Sequence, residues 1–258
     1  MRLRRVIEHV KAQNWTAVGL DFVIVVMGVF IGIQVSNWND ARRNNNLARN
    51  YLQRLDRDIE LEIALWGKTR DYFGAARRYG REALAGYLKP VDGLNDQFLV
   101  ALYQASQIWY VRPNRATFDE LQTTGRIVNI KDESLRTALA NHYVRVDALL
   151  YTFSQTSQYR RILRLNMDQR VQQAIRDQCG DKWVTDNINF YYVALPKTCD
   201  IKLPGDLARS EIARLRADAD VERELRFHVS VLDAQLGVLG NTEEIARATL
   251  EKLQETHQ

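Results

Sequence analysis

The sequence has few of the residues that break helices. Its 258 residues include 4 prolines and 13 glycines, and this scarcity argues against both a disordered chain and a β protein rich in turns. The 2 cysteines allow one intramolecular disulfide or none. This composition suits long helices, in one sizeable domain or two small ones.

A strong charge imbalance is also missing. The chain has 36 basic and 32 acidic residues, for a formal net charge of +4, whereas a nucleic-acid-binding surface needs basic residues clustered on one face. The helices predicted on either side of Gly125 are separated by more than the three or four residues of a DNA-binding helix-turn-helix. We therefore expect no nucleic-acid partner.

Sequence motifs of catalysis are absent as well. The chain contains no P-loop, dinucleotide-binding, nucleophile-elbow or zinc-protease motif. The sequence therefore predicts no catalytic residue, metal site or cofactor, and it favours a non-enzymatic protein; an enzyme whose site is built from residues far apart in the sequence is the alternative. The histidines are scattered and are interpreted as partly buried helix residues: His9, His142, His228 and His257.

Two paired arginines and several aromatic residues remain as candidate ligand contacts. Arg77-Arg78 and Arg160-Arg161 are interpreted as solvated faces near acidic residues, with an anionic lipid or glycan ligand as the alternative. The aromatic residues are assigned to the core rather than to a ligand platform: Trp109, Tyr110, Tyr151 and Tyr159.

One long apolar run is present near the N-terminus. Phe22 to Ile33 reads FVIVVMGVFIGI, and a helix that is apolar on every side lies in lipid or in a large core. With its flanks the run reaches the roughly 20 residues that cross a bilayer, and Trp15 and Trp38 would lie in the interfacial aromatic belts. We predict a transmembrane helix over residues 15–38, with a buried helix of a soluble protein as the alternative.

The flanking residues predict the orientation of this helix. The segment after the run, QVSNWND, has bulky residues where a signal peptide would be cleaved, so we expect an uncleaved anchor in a single-pass protein. Basic residues near a short N-terminus usually stay in the cytoplasm. We therefore expect a cytoplasmic amphipathic segment over residues 1–14 and a periplasmic helical domain over residues 39–258, in the bacterial inner membrane.

An acidic residue and two glycines share one face of the predicted membrane helix. Asp21 lies about one turn inside the span, where an ionised group costs roughly 3 kcal/mol and usually faces a partner or water. Gly28 and Gly32 form a GxxxG pair on the same face, which lets two helices approach closely. We predict a homo-oligomer through this face. In the alternative interpretation Asp21 lies near the lipid head groups and has no role, and the spacing of the two glycines is accidental.

The stretch from Gly19 to Asp40 resembles the anchor of a bacterial family of single-pass membrane proteins of uncharacterised function. In that family an acidic residue precedes the apolar run and a polar motif follows it, at positions occupied here by Asp21, Gln34, Asn37, Trp38, Asn39 and Asp40. The segment from Phe118 to Tyr143 is also similar to the family pattern. The resemblance implies an inner-membrane protein with a helical extramembrane domain, and it implies no activity, cofactor or catalytic residue.

Beyond the anchor, apolar residues at helical spacing predict an all-α helical bundle. The first helix is expected to continue to about Leu88 with a weak point at residues 44–46, and a second to span residues 95–110. A short helix then ends at Gly125, which suits a left-handed C-terminal position. Residues 127–130 are expected to form a buried connector.

The C-terminal half is predicted to contain further helices around one irregular region. Asp132 would cap a helix reaching about Gln178, and helices over residues 206–217 and from 220 onward follow, the last restarting at Asn241. Residues 179–204 are rich in β-formers and predict a short hairpin or an irregular loop. Cys179 and Cys199 bracket it and are expected to pair in the periplasm; two unrelated buried thiols are the alternative.

These features favour a protein that presents its periplasmic domain to an unknown envelope protein or to a ligand. The competing hypothesis is a proton-coupled accessory subunit, because ion-driven motor subunits share this layout and an early Asp in their membrane helix. Asp21 would then carry the proton, although layout alone does not imply function.

The predicted contact in the membrane can be tested by substitution. We expect Asp21→Leu and Gly28→Leu each to reduce self-association, because they remove the polar contact and fill the close-approach surface. Energy transfer between labelled chains in bilayers measures this. Phe30→Leu, on the opposite helical face, is the control, and unchanged transfer in both stripe variants would refute the contact.

Overall fold

A computed structural model describes residues 15–109, 111–185 and 191–257, without the side chains of residues 15–18 and 257. The described residues fall into two compact units, the first ending at Leu52 and the second beginning at Gln53. The protein is all-α with one small hairpin, which confirms the predicted fold class. The predicted amphipathic segment, residues 1–14, lies outside the described residues.

Helix α1, Trp15–Tyr87, begins in the first unit and ends in the second. From residue 19 to residue 46 every side chain is exposed, including the whole apolar run. Within the described residues this is the one helix long and apolar enough to cross a membrane. The exposure argues against the buried helix of a soluble protein, because none of the described residues covers this run. Residues 44–46 are helical throughout.

The second unit packs the rest of α1 with the remaining elements around one core. Its largest fully buried side chains include Trp66, Tyr72, Tyr143 and Tyr159. The further helices are α2 (Asp96–Ala105), α3 (Ala116–Thr123), α4 (Glu133–Ser154), α5 (Tyr159–Asn166), α6 (Gln169–Cys179), α7 (Gly205–Ala217) and α8 (Ala219–His257), with short 3₁₀ turns at Val91–Gly93 and Arg126–Asn129.

Several helix ends lie where the sequence predicts them. The Asn95 side chain accepts a hydrogen bond from the backbone N–H of Gln97 at 3.1 Å and starts α2. The Asp132 side chain caps α4 in the same way. Gly125 follows α3 with φ of 67°, a left-handed conformation that glycine adopts without a steric penalty.

The prediction of one helix from Asp132 to Gln178 is wrong. Helix α4 ends at Ser154, and α5 and α6 follow as separate helices. The turn between α4 and α5 brings Tyr159 into the core, where its hydroxyl donates to the Leu102 carbonyl at 2.8 Å. A side chain–backbone bond across 57 residues cannot be read from helical spacing.

Two further predictions fail, one about the last helix and one about the connector after Gly125. Helix α8 runs through Gly237 and Gly240 and past Asn241 without a new start. Its buried residues continue on one face beyond the glycines, as at Ala246 and Leu253, and this burial outweighs the roughly 1 kcal/mol cost of each glycine. In the connector after Gly125, Ile130 is buried but Val128 is 71% exposed.

The irregular region forms the predicted hairpin and the predicted disulfide. Strands β1 (Lys182–Thr185) and β2 (Tyr191–Ala194) pair antiparallel, with Trp183 opposite Val193. Cys179 and Cys199 are bonded, with Cα atoms 5.5 Å apart. Residues 186–190, where the sequence predicts the turn, lie outside the described residues.

The disulfide should stabilise the helical unit. It links residues 20 apart in sequence, and on a chain-entropy estimate such a loop contributes roughly 3 kcal/mol. We expect the double variant Cys179→Ser/Cys199→Ser to lower the free energy of unfolding in urea by about that amount. Alkylation of the untreated protein, followed by mass measurement, is the check: two modified thiols before reduction would contradict the bond.

Two glycines of α1 should be intolerant of a side chain. A Cβ atom at Gly86 would lie 2.5 Å from the Phe98 ring, and one at Gly80 would lie 2.6 Å from Val229. We expect Gly86→Ala and Gly80→Ala each to destabilise the unit by about 1–3 kcal/mol because packed side chains must shift. The control is Gly74→Ala, where nothing lies within 4 Å and better helix propensity should stabilise by up to about 1 kcal/mol. Thermal unfolding distinguishes the expected loss of stability at Gly86 and Gly80 from the expected gain at Gly74.

Candidate functional site

The second unit carries a cleft of about 720 Å³. It lies between the segment after α2, the turn from α4 into α5, helix α5 and the middle of α8, with Phe73 of α1 at its base. Its volume falls within the range of small-molecule sites, about 300–1,000 Å³. We treat it as the candidate site.

Much of the cleft surface is apolar. Phe73, Trp109 and Phe153 form an aromatic wall, in which the Phe73 and Phe153 rings meet edge to face at 4.9 Å. Ile108 and Leu165 also line the cleft and are 51% and 73% exposed. Large exposed apolar side chains beside a packed aromatic wall are the expected lining of a site for an apolar group.

Arginines from α5 line the other side of the cleft. Arg160 Nη1 donates to the Ser106 carbonyl at 2.6 Å. Arg164 Nε and Nη2 donate to Ser106 Oγ at 3.1 and 2.9 Å, and Nη2 also lies 3.3 Å from Gln107 Oε1. The Arg164 guanidinium stacks over the Tyr103 ring, 3.4 Å from its centroid. Hydrogen bonds and stacking thus hold these two side chains in place.

These arginines differ from the other arginine pair that the sequence singles out. Arg77 contacts Asp233 and Arg78 contacts Glu82, at 3.1 and 2.9 Å, as expected for faces near acidic residues. That interpretation does not hold for Arg160, whose acceptors are a carbonyl and a side-chain amide. Burial, with smaller contributions from Arg160 and Arg176, lowers the pKa of Arg164, as expected where no carboxylate balances a guanidinium.

A histidine and a serine complete the polar lining. His228 Nε2 lies 2.8 Å from the Ala105 carbonyl, which can only accept, so this nitrogen carries the proton. Nδ1 then accepts from the Ser157 hydroxyl at 2.8 Å. The ring stacks on Tyr159, with centroids 5.2 Å apart. His228 is thus a buried helix residue, as the sequence predicts, but it lies at the edge of the cleft.

A second buried polar cluster lies away from the cleft. Glu62, only 2% exposed, accepts from Trp66 Nε1 at 2.9 Å, and the fully buried His142 has Nε2 within 3.2 Å of the same carboxylate. Sequence reasoning missed Glu62, although its position four residues before Trp66 places it on the apolar face of α1. Such a pair is strongly destabilising to break, and we assign it to the core.

The predicted membrane-helix residues are exposed in the structure. Asp21, Gly28 and Gly32 are exposed, and nothing lies within 4 Å of a Cβ atom built on either glycine. Trp38 is 65% exposed, and the Arg42 guanidinium lies 5.9 Å from its ring centroid. The Trp15 side chain lies outside the described residues. The association of these helices stays a prediction.

Comparison with known proteins gives no relative: no protein-family model, curated protein or solved structure matches the chain. Within the described residues no group of three or more His, Cys, Asp or Glu side chains is placed to hold a metal ion. What the fold and the cleft define is an all-α protein with a helix of membrane-spanning length and a partly apolar, partly cationic site.

The protonation of His228 is open to measurement. Burial lowers its pKa below the usual 6.5, so the unfolded chain binds a proton at a higher pH than the folded chain. Stability should therefore fall as the pH is lowered below about 6.5. NMR titration of the imidazole, assigned with His228→Gln, is the direct test, and a pKa above 6.5 would contradict the buried neutral ring.

Proposed function

We propose that this protein is a single-pass binding protein of the bacterial inner membrane, whose periplasmic helical domain takes an amphiphilic ligand into the cleft. The observation that carries the proposal is the cleft lining: an aromatic wall with exposed Ile108 and Leu165 beside fixed polar groups. Ligand sites combine a mostly apolar lining with a few well-placed polar groups. No nucleic-acid role is proposed.

Three observations support the proposed location. The apolar run of α1 is exposed from end to end, basic residues precede it, and the helical domain contains a disulfide, a bond that persists in oxidising compartments such as the periplasm. The resemblance of the Gly19 to Asp40 stretch to a family of inner-membrane anchors points the same way. Self-association through Asp21, Gly28 and Gly32 would bring two such domains to one place in the membrane.

One observation favours a second candidate function. The hydrogen bond from the Ser157 hydroxyl to the unprotonated nitrogen of His228 lies within the cleft, and such a pair can act as nucleophile and base. The other imidazole nitrogen faces a backbone carbonyl rather than a carboxylate. The imidazolium that forms when His228 takes the serine proton would therefore have no carboxylate at this nitrogen to stabilise it. Binding is therefore the preferred function. Labelling by a fluorophosphonate, lost in Ser157→Ala, would instead support a hydrolase.

The proton-coupled alternative depends on Asp21 alone. The analogy of layout is its support. We therefore place it behind ligand binding.

The proposed ligand site can be tested with a neutral apolar probe. We expect N-phenyl-1-naphthylamine to bind the protein with enhanced fluorescence, and Ile108→Gln/Leu165→Gln to weaken binding by roughly fivefold or more, because each change removes on the order of 1 kcal/mol of apolar contact. The matched control is Leu88→Gln/Val128→Gln, which alters residues that are 85% and 71% exposed and do not line the cleft. Equal weakening in both variants would contradict the assignment.

A further inference from the structure

We infer that the ligand of this cleft carries an anionic head group, a carboxylate or a phosphate, on an apolar chain. The inference rests on the proposed binding function and names the chemical class of the ligand. It follows from the charges around the cleft, from how the arginines are held, and from where the apolar side chains lie relative to them.

The charged side chains that line the cleft are positively charged. Arg160, Arg161 and Arg164 line it, and among the residues that the structure describes no Asp or Glu does. Asp181 interacts electrostatically with Arg160 and Arg164, but it accepts the Tyr72 hydroxyl at 3.0 Å and forms no ion pair with them among the described residues.

Several arginines elsewhere in the second unit contact carboxylates, although Arg216 donates to the Gly86 carbonyl instead. Arg115 meets Asp147 at 2.6 Å, and Arg214 meets Glu211 at 2.8 Å. Burying part of a guanidinium without a carboxylate partner costs free energy. An anion from outside the chain would offset this cost for the arginine cluster.

The arginines are positioned to receive such an anion. The hydrogen bonds to Ser106 and Gln107 use Nη1 of Arg160 and the Nε and Nη2 atoms of Arg164. Nε and Nη2 of Arg160 have no hydrogen-bond acceptor among the described residues, whereas Arg164 also interacts with the Tyr103 side chain. Planar guanidinium groups bind carboxylate and phosphate oxygens through two parallel N–H bonds, and groups already fixed by stacking and hydrogen bonds lose little entropy on binding.

The apolar surface begins directly beside these arginines. Leu165 follows Arg164 in α5, and Ile108 follows Gln107, whose side chain accepts from Arg164. The aromatic wall of Phe73, Trp109 and Phe153 continues from there. A head group held by Arg160 and Arg164 would therefore place its chain against the wall, whereas an inorganic anion would leave this exposed apolar surface uncovered.

The experiment compares four probes with the same chain, each below its micelle concentration: laurate, dodecyl phosphate, dodecyl maltoside and dodecyltrimethylammonium. Binding to the full-length protein in nanodiscs is followed by displacement of N-phenyl-1-naphthylamine, after subtraction of empty nanodiscs. We expect at least one anionic probe to bind roughly tenfold or more tightly than dodecyl maltoside, and the cationic probe to bind weakest. Preference for laurate indicates a free fatty acid, and preference for dodecyl phosphate indicates a lipid phosphate.

Variants connect the charge preference to the arginines. Arg160→Gln/Arg161→Gln should lower the affinity for the anionic probe roughly tenfold and leave dodecyl maltoside unchanged. Arg164→Lys keeps the charge but not the planar fork, so it should lose part of the anionic preference. The control is Arg223→Gln, which alters an arginine that is 67% exposed, pairs with Asp220 and lies outside the cleft. Circular dichroism confirms that each variant is folded.

The outcomes separate this inference from the proposed function. Equal binding of neutral and anionic probes, with unchanged effects of Ile108→Gln/Leu165→Gln, overturns the anionic head group and leaves the apolar site in place. Tighter binding of the cationic probe also overturns the inference. No displacement by any probe overturns both. Binding of an acidic peptide without an apolar chain, as tightly as dodecyl phosphate, would replace the amphiphile with a protein partner.

Discussion

The hydrogen bond from the buried Tyr159 hydroxyl to the Leu102 carbonyl is the contact on which the cleft depends. It fixes the start of α5 against the end of α2, so the chain must turn after α4 instead of continuing as one helix. From this position α5 directs Arg160 and Arg164 to Ser106, the residue after α2. The stacking of Tyr159 on His228 joins α8 to the same point. One buried side chain thereby positions the three helices that surround the site.

The polar side of the cleft is built at the expense of stability. Placing Arg160 and Arg164 near each other, without an ion pair to a carboxylate among the described residues, opposes folding through repulsion and loss of hydration. Ser106, Gln107 and the Tyr103 ring offset part of this cost with hydrogen bonds and stacking. The buried Glu62 and His142 side chains contrast with this, since the Glu62 carboxylate contacts both Trp66 Nε1 and His142 Nε2 within the core. An arginine cluster that forms no ion pair among the described residues, beside an open apolar wall, is the feature on which the proposed ligand binding rests.

Local sequence features were sufficient for part of this architecture. Asn95, Gly125 and Asp132 act at helix ends because caps and left-handed glycines depend on neighbouring backbone groups alone. The β-forming residues predict a hairpin or an irregular loop, and the two cysteines predict a bond with two separate thiols as the alternative; the structure has the hairpin and the bond. The candidate site was not predictable in the same way: Arg160 was assigned to a solvated face, and its neighbours Ser106 and Phe73 are far from it in sequence.

The amino-acid sequence by itself determined the apolar run of α1, the all-α class and the possible disulfide, because hydrophobic length, helix propensity and cysteine count act without distant partners. The tertiary structure alone decided that α4 ends at Ser154, that α8 continues through its glycines, and that Glu62 meets His142. Each of these depends on contacts between residues far apart in the chain, whose burial outweighs local preferences of about 1 kcal/mol. The cleft belongs to this second group, because its cationic and apolar sides come from segments that only folding brings together.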